Sequence, residues 1–314
     1  MQGAVQYKVI VGAIDIGTNS VRLIIAEKKN SKWRDLVRTV EVTRLGEGVD
    51  KTHTITREAM ERTLAVLSQY KEMMERYGAE RQKVVSTSAM RDAKNSTEFI
   101  ALVRERLGLD IEVISGEEEG RLTFSGAVCQ DSLAPKGAVV LVVDVGGGST
   151  EYIYGKDNEV FGVTSLNIGS VRLTEQFLKH DPPLKEELDN ARDAILGASR
   201  PVFKALAEAN PEVMIAVAGT ATQLAAVLYE VEPYDPEKIH GSKVTFIQLE
   251  SLINRIAAMP NEKRKTLKGM HPKRADVLIG GSLILEETLK SLHLSEMIIS
   301  EKDILDGLIY SIAE

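Results

Sequence analysis

The sequence carries one short pattern twice, far apart in the chain. Residues 13–25 read Ala-Ile-Asp-Ile-Gly-Thr-Asn-Ser-Val-Arg-Leu-Ile-Ile, and residues 142–154 read Val-Val-Asp-Val-Gly-Gly-Gly-Ser-Thr-Glu-Tyr-Ile-Tyr. Each copy begins as an apolar β-branched run, passes through glycine and small polar residues, and leaves as a second apolar run, which predicts strand, turn and strand. A supersecondary unit repeated at this distance predicts two domains built alike.

The two copies align residue by residue. Asp15 matches Asp144, Gly17 matches Gly146, Ser20 matches Ser149, and Arg22 matches Glu151. The length of 314 residues also favours two domains over one. Two such turns facing each other would form a cleft.

Strands and helices alternate between and after the two copies. A helix is predicted to begin after Thr56 as N-cap and to end near Gly78, with an apolar face of Met60, Leu64, Leu67 and Met74. Further strands are predicted at 83–87, 111–114 and 213–218, and helices at 97–107, 171–179, 185–206, 221–229 and through the remainder. This alternation predicts an α/β fold with crossover connections.

A domain boundary is expected just before the second copy. Residues 132–137 read Ser-Leu-Ala-Pro-Lys-Gly and interrupt the regular pattern. We therefore expect domain I at residues 1–133 and domain II at residues 134–300. The last segment, residues 301–314, is predicted to be helical and to pack on domain I.

The composition excludes several classes of protein. A net charge of −7 disfavours binding to nucleic acid or to an anionic membrane surface, since a basic field gathers such partners. The N-terminal apolar stretch is too short for a signal peptide, and no apolar run approaches the roughly 20 residues of a membrane span, so the expected location is cytoplasmic. The single cysteine, Cys129, allows no intrachain disulfide and no cysteine-rich zinc site, and is predicted to be a small buried residue.

The two glycine-containing turns are candidate phosphate-binding loops. Backbone N–H groups in such a turn can approach phosphate oxygens closely, because no side chain blocks them. The candidate residues are Asn19 and Ser20 in the first copy and Gly146, Gly147, Gly148 and Ser149 in the second. The alternative is two tight hairpins whose aspartates hold the turns. The recurrence of Asp-x-Gly-x-x-Ser favours phosphate binding.

Acidic residues beside these turns suit a magnesium ion or another divalent cation. Mg²⁺ takes oxygen ligands and often shares them with phosphates. Asp144 and Glu151 are expected on neighbouring strands of one hairpin, and Asp15 is expected opposite them. These three acids are the candidate metal ligands.

A glutamate-rich segment precedes another predicted helix. Residues 115–121 read Ser-Gly-Glu-Glu-Glu-Gly-Arg. Ser115 and Glu118 have the capping-box spacing, so Glu118 has a structural role at the helix start. Glu119 is then available to orient or deprotonate a water molecule. Acidic residues that balance the helix dipole are the alternative, and spacing alone does not choose between the two.

Two further strand-to-helix turns carry candidate phosphate-binding residues. Arg91 follows a buried strand, where it can bind a phosphate bidentately or form a surface ion pair with Asp92 or Glu98. Gly219 and Thr220 fit an anion at a helix N-terminus, or simply an N-cap at Thr220.

The main basic concentration lies near the C-terminus. Its members are Lys263, Arg264, Lys265, Lys268, His271, Lys273 and Arg274. A solvated helix face is the expected role for most of them. Arg274 adjoins the apolar stretch 275–285 and is the member expected to be held in place.

Four segments together resemble the exopolyphosphatase and guanosine pentaphosphate phosphohydrolase (Ppx/GppA) family. They are residues 14–23 (Ile-Asp-Ile-Gly-Thr-Asn-Ser-Val-Arg-Leu), 87–93 (Thr-Ser-Ala-Met-Arg-Asp-Ala), 114–121 (Ile-Ser-Gly-Glu-Glu-Glu-Gly-Arg) and 143–151 (Val-Asp-Val-Gly-Gly-Gly-Ser-Thr-Glu). The resemblance covers nearly the whole chain. Position 120 departs from the pattern, because relatives more often carry alanine there.

The resemblance implies the actin-like ATPase fold, with two ribonuclease-H-like domains and an interdomain cleft. It also implies that Glu119 is the catalytic base, that Asp144 and Glu151 are metal-associated acids, and that residues 146–149 form the phosphate loop. Arginines at the positions of Arg22 and Arg274 bind guanosine tetraphosphate in some relatives. Larger members carry extra C-terminal helical domains that this sequence lacks, so processive hydrolysis of long chains is not part of the expectation.

The expected function is an exopolyphosphatase, which removes the terminal phosphate of inorganic polyphosphate by attack of a Glu119-activated water with the help of Mg²⁺. The alternative is 5′-hydrolysis of guanosine pentaphosphate (pppGpp), which needs the same machinery and a nucleoside site. A kinase or a non-catalytic alarmone sensor on the same fold is a third possibility, although a kinase would need an acceptor-binding insertion. The expected partners are polyphosphate or pppGpp/ppGpp, without nucleic acid or membrane, and a homodimer is one option for the assembly.

Overall fold

The computed structural model of the protein describes residues 9–29, 32–128 and 133–313. Cys129 lies outside the described residues. No helix in these ranges is both long and apolar enough to cross a bilayer.

The chain divides into two compact units. The first contains the described residues up to Ile114 and those from Leu308 onwards, and the second is Ser115–Gly307. The boundary therefore differs from the one expected at residue 133. The helix after Ser115 belongs to the second unit because it packs on the second sheet, where a Cβ on Gly120 would lie 2.5 Å from Cγ1 of Val163.

The first unit holds a five-stranded sheet with helices. Its elements are β1 Val9–Ile16, β2 Ser20–Lys29, β3 Lys32–Val42, α1 Val49–Thr52, α2 Arg57–Tyr77, β4 Arg81–Ser86, α3 Ser88–Asp92, α4 Ser96–Leu107 and β5 Ile111–Val113. The strand order is β3-β2-β1-β4-β5. The sheet is mixed, since β1 pairs antiparallel with β2 and parallel with β4.

The second unit is larger and repeats this plan. Its elements are α5 Gly116–Val128, β6 Val139–Val145, β7 Thr150–Lys156, β8 Glu159–Leu166, α6 Ser170–Phe177, α7 Lys185–Ala209, β9 Val213–Val217, α8 Ala218–Leu228, α9 Pro236–Ile239, β10 Lys243–Thr245, α10 Phe246–Ala257, α11 Asn261–Arg264, α12 Leu278–Ser291 and β11 Glu296–Ile299. The last helix, α13 Ile304–Ala313, begins in the second unit, and its residues from Leu308 onwards belong to the first. The strand order of the second unit is β10-β11-β9-β6-β7-β8. Read from β8 to β11, this is the order of the first sheet, so the repeated hairpin marks a repeated topology.

Helix α2 confirms the amphipathic pattern and both caps. Thr56 is its N-cap and accepts a hydrogen bond from the N–H of Ala59 at 3.2 Å, and Gly78 closes it in the left-handed region at φ 70°. The predicted apolar face is buried. The sequence thus specifies this helix by its caps and its apolar stripe together.

Other predicted elements need correction. Residues after 229 were expected to be helical throughout, but β10 and β11 add two short strands. Helix α8 starts at Ala218, so Thr220 lies in its first turn and is not the N-cap. Strands β3 and β8, the third strands of the two sheets, follow the hairpins and were not predicted. These edge strands carry many polar residues and lack a continuous apolar run.

Helices α5 and α13 cross at two glycines. A Cβ on Gly126 would lie 1.8 Å from the carbonyl oxygen of Asp303, and a Cβ on Gly307 would lie 2.0 Å from that of Leu122. Only glycine fits where two helix backbones approach this closely. The crossing fixes α5 against the start of α13.

Candidate active site

The second hairpin places two acids side by side. The N–H of Gly146 donates to the carbonyl oxygen of Ser149 at 3.1 Å and closes the turn. Asp144 on β6 and Glu151 on β7 are direct cross-strand partners. Their exposed fractions are 4% and 1%. The hairpin register therefore brings two carboxyl groups together out of solvent.

Strand alternation aims these acids toward α5. Side chains alternate between the two faces of a strand. On β6, Val140 and Val142 pack with Phe124 and Ala127 of α5. Asp144 continues this series on the face of the sheet that α5 covers. The contact from α5 to Asp144 described below agrees with this orientation.

Glu119 lies in the first turn of α5 and is buried, with 8% of its surface exposed. Its neighbours differ from it. Glu117 forms an exposed ion pair with Arg121 at 3.0 Å. The N–H of Glu118 donates to Oγ of Ser115 at 3.1 Å, which is the backbone half of the predicted capping interaction. Burial thus distinguishes Glu119 from the two preceding glutamates.

The three acids form one electrostatic cluster. Burial raises the pKa of Glu151 well above 4.5, and the negative charges of Glu119 and Asp144 raise it further. The hydroxyl groups of Ser165 and Ser149 act on this pKa in the opposite direction. A bound cation would relieve the mutual repulsion of the acids.

Two hydroxyl groups contact the acid pair. Thr123 Oγ1 donates to Oδ2 of Asp144 at 3.4 Å, and Ser165 Oγ donates to Oε1 of Glu151 at 2.6 Å. Neither residue was predicted from the sequence. Thr123 follows Glu119 by one helical turn, so helical spacing could have indicated it. Ser165 lies on β8, which the sequence pattern did not predict.

Residues of helix α6 hold the glycine loop, residues 146–148, by hydrogen bonds. The N–H groups of Ser170 and Val171 donate to the carbonyl oxygens of Gly146 and Gly147, both at 2.9 Å. Arg172 Nε donates to the carbonyl oxygen of Gly148 at 2.9 Å. Among the described residues, the N–H groups of Gly147 and Gly148 have no hydrogen-bond acceptor. The carbonyl oxygens of the three glycines thus accept hydrogen bonds from α6. The N–H groups of Gly147 and Gly148 are left as donors, as an anion site requires.

The turn from β9 to α8 lies beside this loop. Thr220 Oγ1 donates to the carbonyl oxygen of Val145 at 3.1 Å. A Cβ on Gly219 would lie 2.0 Å from Nη1 of Arg274, so the guanidinium group rests on the Gly219 backbone. Arg274 is therefore held in place, as its position beside an apolar stretch predicts, and it adds a positive charge near the loop.

The first unit carries the matching hairpin with a different charge arrangement. The N–H of Gly17 donates to the carbonyl oxygen of Ser20 at 3.0 Å, as in the second copy. Asp15 faces Arg22 in the register. Arg22 donates to Oδ2 of Asp15 through Nε at 2.9 Å and Nη2 at 2.6 Å. Here the aspartate is paired with a cation of its own unit, which gives no support to a role of Asp15 as a metal ligand.

Other predicted residues of the first unit have local contacts. The carbonyl oxygen of Asn19 accepts a hydrogen bond from the N–H of Arg44 at 2.9 Å. Arg91 Nη1 donates to the carbonyl oxygen of Ile114 at 2.9 Å. The phosphate-binding roles of Asn19, Ser20 and Arg91, and the alarmone-binding role of Arg22, stay predictions.

Three members of the basic segment form ion pairs. Arg264 is buried, with Nη2 2.6 Å from Oδ1 of Asp181. The Nζ atom of Lys265 lies 2.6 Å from Glu262, and that of Lys268 lies 3.7 Å from Glu230. Helix α11 and a 3₁₀ turn at Pro272–Arg274 are short, so the segment is not one long helix face.

Comparison with known proteins decides the family. The family model described as "Ppx/GppA phosphatase family" matches residues 24–314. The chain belongs to the Ppx/GppA phosphatase family. Exopolyphosphatase 2 of Mycobacterium tuberculosis is 39% identical over 96% of this chain and 98% of its own. The guanosine-5′-triphosphate,3′-diphosphate pyrophosphatase of Photobacterium profundum is 30% identical over 96% of this chain and 59% of its own length. The protein is accordingly a phosphoanhydride hydrolase.

Solved Ppx/GppA structures have the same architecture. The Aquifex aeolicus family member is 37% identical, with a TM-score of 0.80 over 97% of both chains. The exopolyphosphatase from Cytophaga hutchinsonii is 28% identical, with a TM-score of 0.90 over 96% of this chain and 97% of that one. The expected α/β class and actin-like ATPase fold, with ribonuclease-H-like strand order in both units, are thereby confirmed.

The second unit fits a shared magnesium site better than a closed metal cage. No cluster of three or more His, Cys, Asp or Glu side chains arranged for a metal occurs in the part of the chain described. Mg²⁺ is often held by only one or two carboxylates plus substrate phosphates. Oε2 of Glu151 is buried and has no hydrogen-bond partner among the described residues. The donor set of Asp144 and Glu151 is compatible with such a shared ion.

Proposed function

We propose that this Ppx/GppA phosphatase is an exopolyphosphatase that hydrolyses the terminal phosphate of inorganic polyphosphate, with Glu119 as the base. The observation that carries the proposal is the buried cluster of Glu119, Asp144 and Glu151 on one face of the second sheet, next to a loop that offers N–H groups. Three buried acids that repel one another are costly for folding alone, which favours a functional explanation.

Asp144 and Glu151 are the residues proposed to hold a divalent cation, which supplies positive charge to the phosphoryl oxygens when bound. The N–H groups of Gly147 and Gly148 are proposed to bind the same phosphate. The guanidinium group of Arg274, fixed on Gly219, adds a second positive charge close to this loop.

In the proposed reaction Glu119 accepts a proton from a water molecule while the water oxygen forms a bond to the terminal phosphorus. The bond from that phosphorus to the bridging oxygen breaks, and the shortened polyphosphate leaves with the electron pair. Most of the rate enhancement in phosphoryl transfer comes from positioning and electrostatic stabilisation. The burial of Glu119 on a packed helix meets the need for positioning.

We favour polyphosphate over pppGpp as the substrate because of the lengths over which this chain matches the two kinds of relative. The exopolyphosphatase 2 relative matches this chain over nearly its whole length, at 39% identity. The pyrophosphatase relative is 30% identical, and the match covers 59% of its length. The cytoplasmic location expected from the sequence stays a prediction.

The replacement Glu119→Gln tests the role of the base. We expect the rate of phosphate release to fall by about 10²–10⁴-fold, since the amide cannot accept the proton, while substrate binding is largely retained. Glu117→Gln is the matched control, because Glu117 lies on the same helix turn but forms only an exposed pair with Arg121. Undiminished phosphate release by Glu119→Gln would rule out the assignment.

A further inference from the structure

Ser165 links the acid pair to the helix that carries Glu119. It lies on β8 as the direct cross-strand partner of Glu151. Its hydroxyl group donates to Oε1 of Glu151 at 2.6 Å, at the short end of the range for O–H···O hydrogen bonds. Glu151 is 1% exposed, so solvent does not compete for this bond.

The second oxygen of the same carboxyl group is in a different situation. Oε2 of Glu151 is buried and has no hydrogen-bond partner among the residues that the structure describes. A buried polar atom left without a partner is unfavourable, because it has lost its hydrogen bonds to water without replacing them. Ser165 thus fixes one oxygen of Glu151. The other oxygen lacks a hydrogen-bond donor or a cation as its partner among the described residues.

Ser165 is itself held from the side of helix α5. A Cβ on Gly116, the first residue of α5, would lie 2.4 Å from both Cβ and Oγ of Ser165. The backbone of the first helical turn, which also carries Glu119, therefore rests directly on the Ser165 side chain. This contact limits rotation of the hydroxyl group and fixes the distance between β8 and the start of α5.

We propose that Ser165 is a positioning residue that orients Glu151 so that its second oxygen is presented to the divalent cation. The inference rests on the proposed function, in which Glu151 holds that cation. A hydrogen bond to one atom of a metal-binding side chain fixes its orientation, and its loss lowers metal affinity in other proteins by about 10–100-fold. Ser165 does not itself contact substrate in this proposal.

Binding of Mn²⁺ to the resting enzyme tests the proposal without substrate. Free Mn²⁺ is measured by its paramagnetic resonance signal in titrations of the parent, Ser165→Ala, Ser165→Cys and Thr164→Ala. Thr164 is the matched control, because it is exposed and precedes Ser165 on the same strand. We expect Ser165→Ala to weaken Mn²⁺ binding about tenfold or more. The affinity of Ser165→Cys should lie between those of the parent and Ser165→Ala, since a thiol is a weak donor. Thr164→Ala should bind Mn²⁺ as the parent does.

Phosphate release gives a second readout. With Ser165→Ala, the Mg²⁺ concentration for half-maximal rate should rise by a similar factor, while the rate at saturating Mg²⁺ stays near that of the parent. Mn²⁺ affinity equal to that of the parent in Ser165→Ala or in Ser165→Cys would overturn the proposal. If the parent does not bind Mn²⁺, Glu151 does not hold the cation and the role of Ser165 is wrong as well. The role of Glu119 as the base is tested independently by Glu119→Gln.

Discussion

One residue position gives the two copies of the hairpin different charge arrangements. Asp15 faces Arg22 across the first hairpin, and Asp144 faces Glu151 across the second. The first pair is neutralised by its own ion pair, at 2.6 Å between Nη2 and Oδ2. The second pair holds two acids, and burial together with the negative charges of Glu119 and Asp144 raises the pKa of Glu151 there. The exchange of Arg22 for Glu151 in the duplicated hairpin therefore separates a self-contained ion pair from the acid pair proposed to hold a cation.

Replacement of Glu151 by glutamine should stabilise the metal-free protein near neutral pH. The folded state raises the pKa of Glu151 well above 4.5, so it binds this proton more tightly than the unfolded chain does. The corresponding stability is present below pH 4.5 and is lost as pH rises through the folded pKa. We therefore expect Glu151→Gln to raise the free energy of unfolding at pH 7 in chelator, because the amide carries no charge that folding must remove from water.

Denaturant unfolding of both proteins between pH 4 and pH 8 measures this effect. The difference between parent and Glu151→Gln should grow with pH, and excess Mg²⁺ should stabilise the parent more than the variant. Glu159→Gln, an exposed acid at the start of β8, serves as control and should change little. A Glu151→Gln protein less stable than the parent at every pH would contradict the assigned cause.

Much of the candidate site was predictable at the level of residue types. Capping spacing left Glu119 available, and its burial agrees with that choice. The repeat predicted Asp144 and Glu151 on neighbouring strands of one hairpin, where they are cross-strand partners. Ser165 was not predictable, because its contact with Glu151 depends on the register of a third strand that has no clear apolar alternation. Long-range contacts such as Arg274 with Gly219 also leave no local signal.

At the scale of elements, α5 is the part of the fold that links packing to the site. It carries Glu119, contacts Asp144 through Thr123, and crosses α13 at Gly126. The helix cannot shift without disturbing all three. Its glycines are therefore positional requirements, although glycine is a poor helix former.

Gly126→Ala should destabilise the protein and reduce turnover, whereas Gly197→Ala should stabilise it. A Cβ at residue 126 would lie 1.8 Å from the backbone oxygen of Asp303, and backbone cannot move aside as a side chain can. We expect a loss of about 1–3 kcal/mol or more. Gly197 lies inside α7, and a Cβ there would have no other atom within 4 Å, so alanine should add about 0.5–1 kcal/mol.

Thermal and denaturant unfolding compare these two glycine variants directly. Turnover of Gly126→Ala should fall because α5 must move and Glu119 moves with it, while Gly197→Ala should keep parental turnover. Equal stability changes in the two variants would show that the α5–α13 crossing imposes no backbone constraint.

The predictability of the elements followed their length and their caps. Helices α2 and α4 have clear ends, with glycine closing each at positive φ, and they were located within a residue or two. Strands β10 and β11 have three and four residues and pair only through tertiary contacts, so periodicity could not find them. Helix α8 begins at Ala218, one residue before Gly219. Ala218 has a φ of 64°, and a local sequence pattern does not predict this left-handed conformation for alanine.

At the scale of the whole molecule, the shared strand order shows what the repeat encodes. Both sheets follow one order from the edge strand after the hairpin to the parallel strands. The second unit adds β10 at the far edge and has a longer connection from β9 to β11, which carries helices α8 to α12. The sequence repeat thus predicted the common plan, while the additions that make the second unit larger have no counterpart in the first.

The substrate is the prediction that belongs to the whole molecule. We expect kcat/KM for phosphate release to be higher with long-chain polyphosphate than with pppGpp, and ATP to be a poor substrate, because the similarity to exopolyphosphatase 2 extends over 98% of that protein. The three substrates should be compared side by side at saturating Mg²⁺, with Glu119→Gln as the background control. A higher kcat/KM for pppGpp would favour the nucleotide hydrolase instead. Tight binding of pppGpp or ppGpp without release of phosphate from any substrate would identify an alarmone sensor, since a fold does not by itself fix an activity.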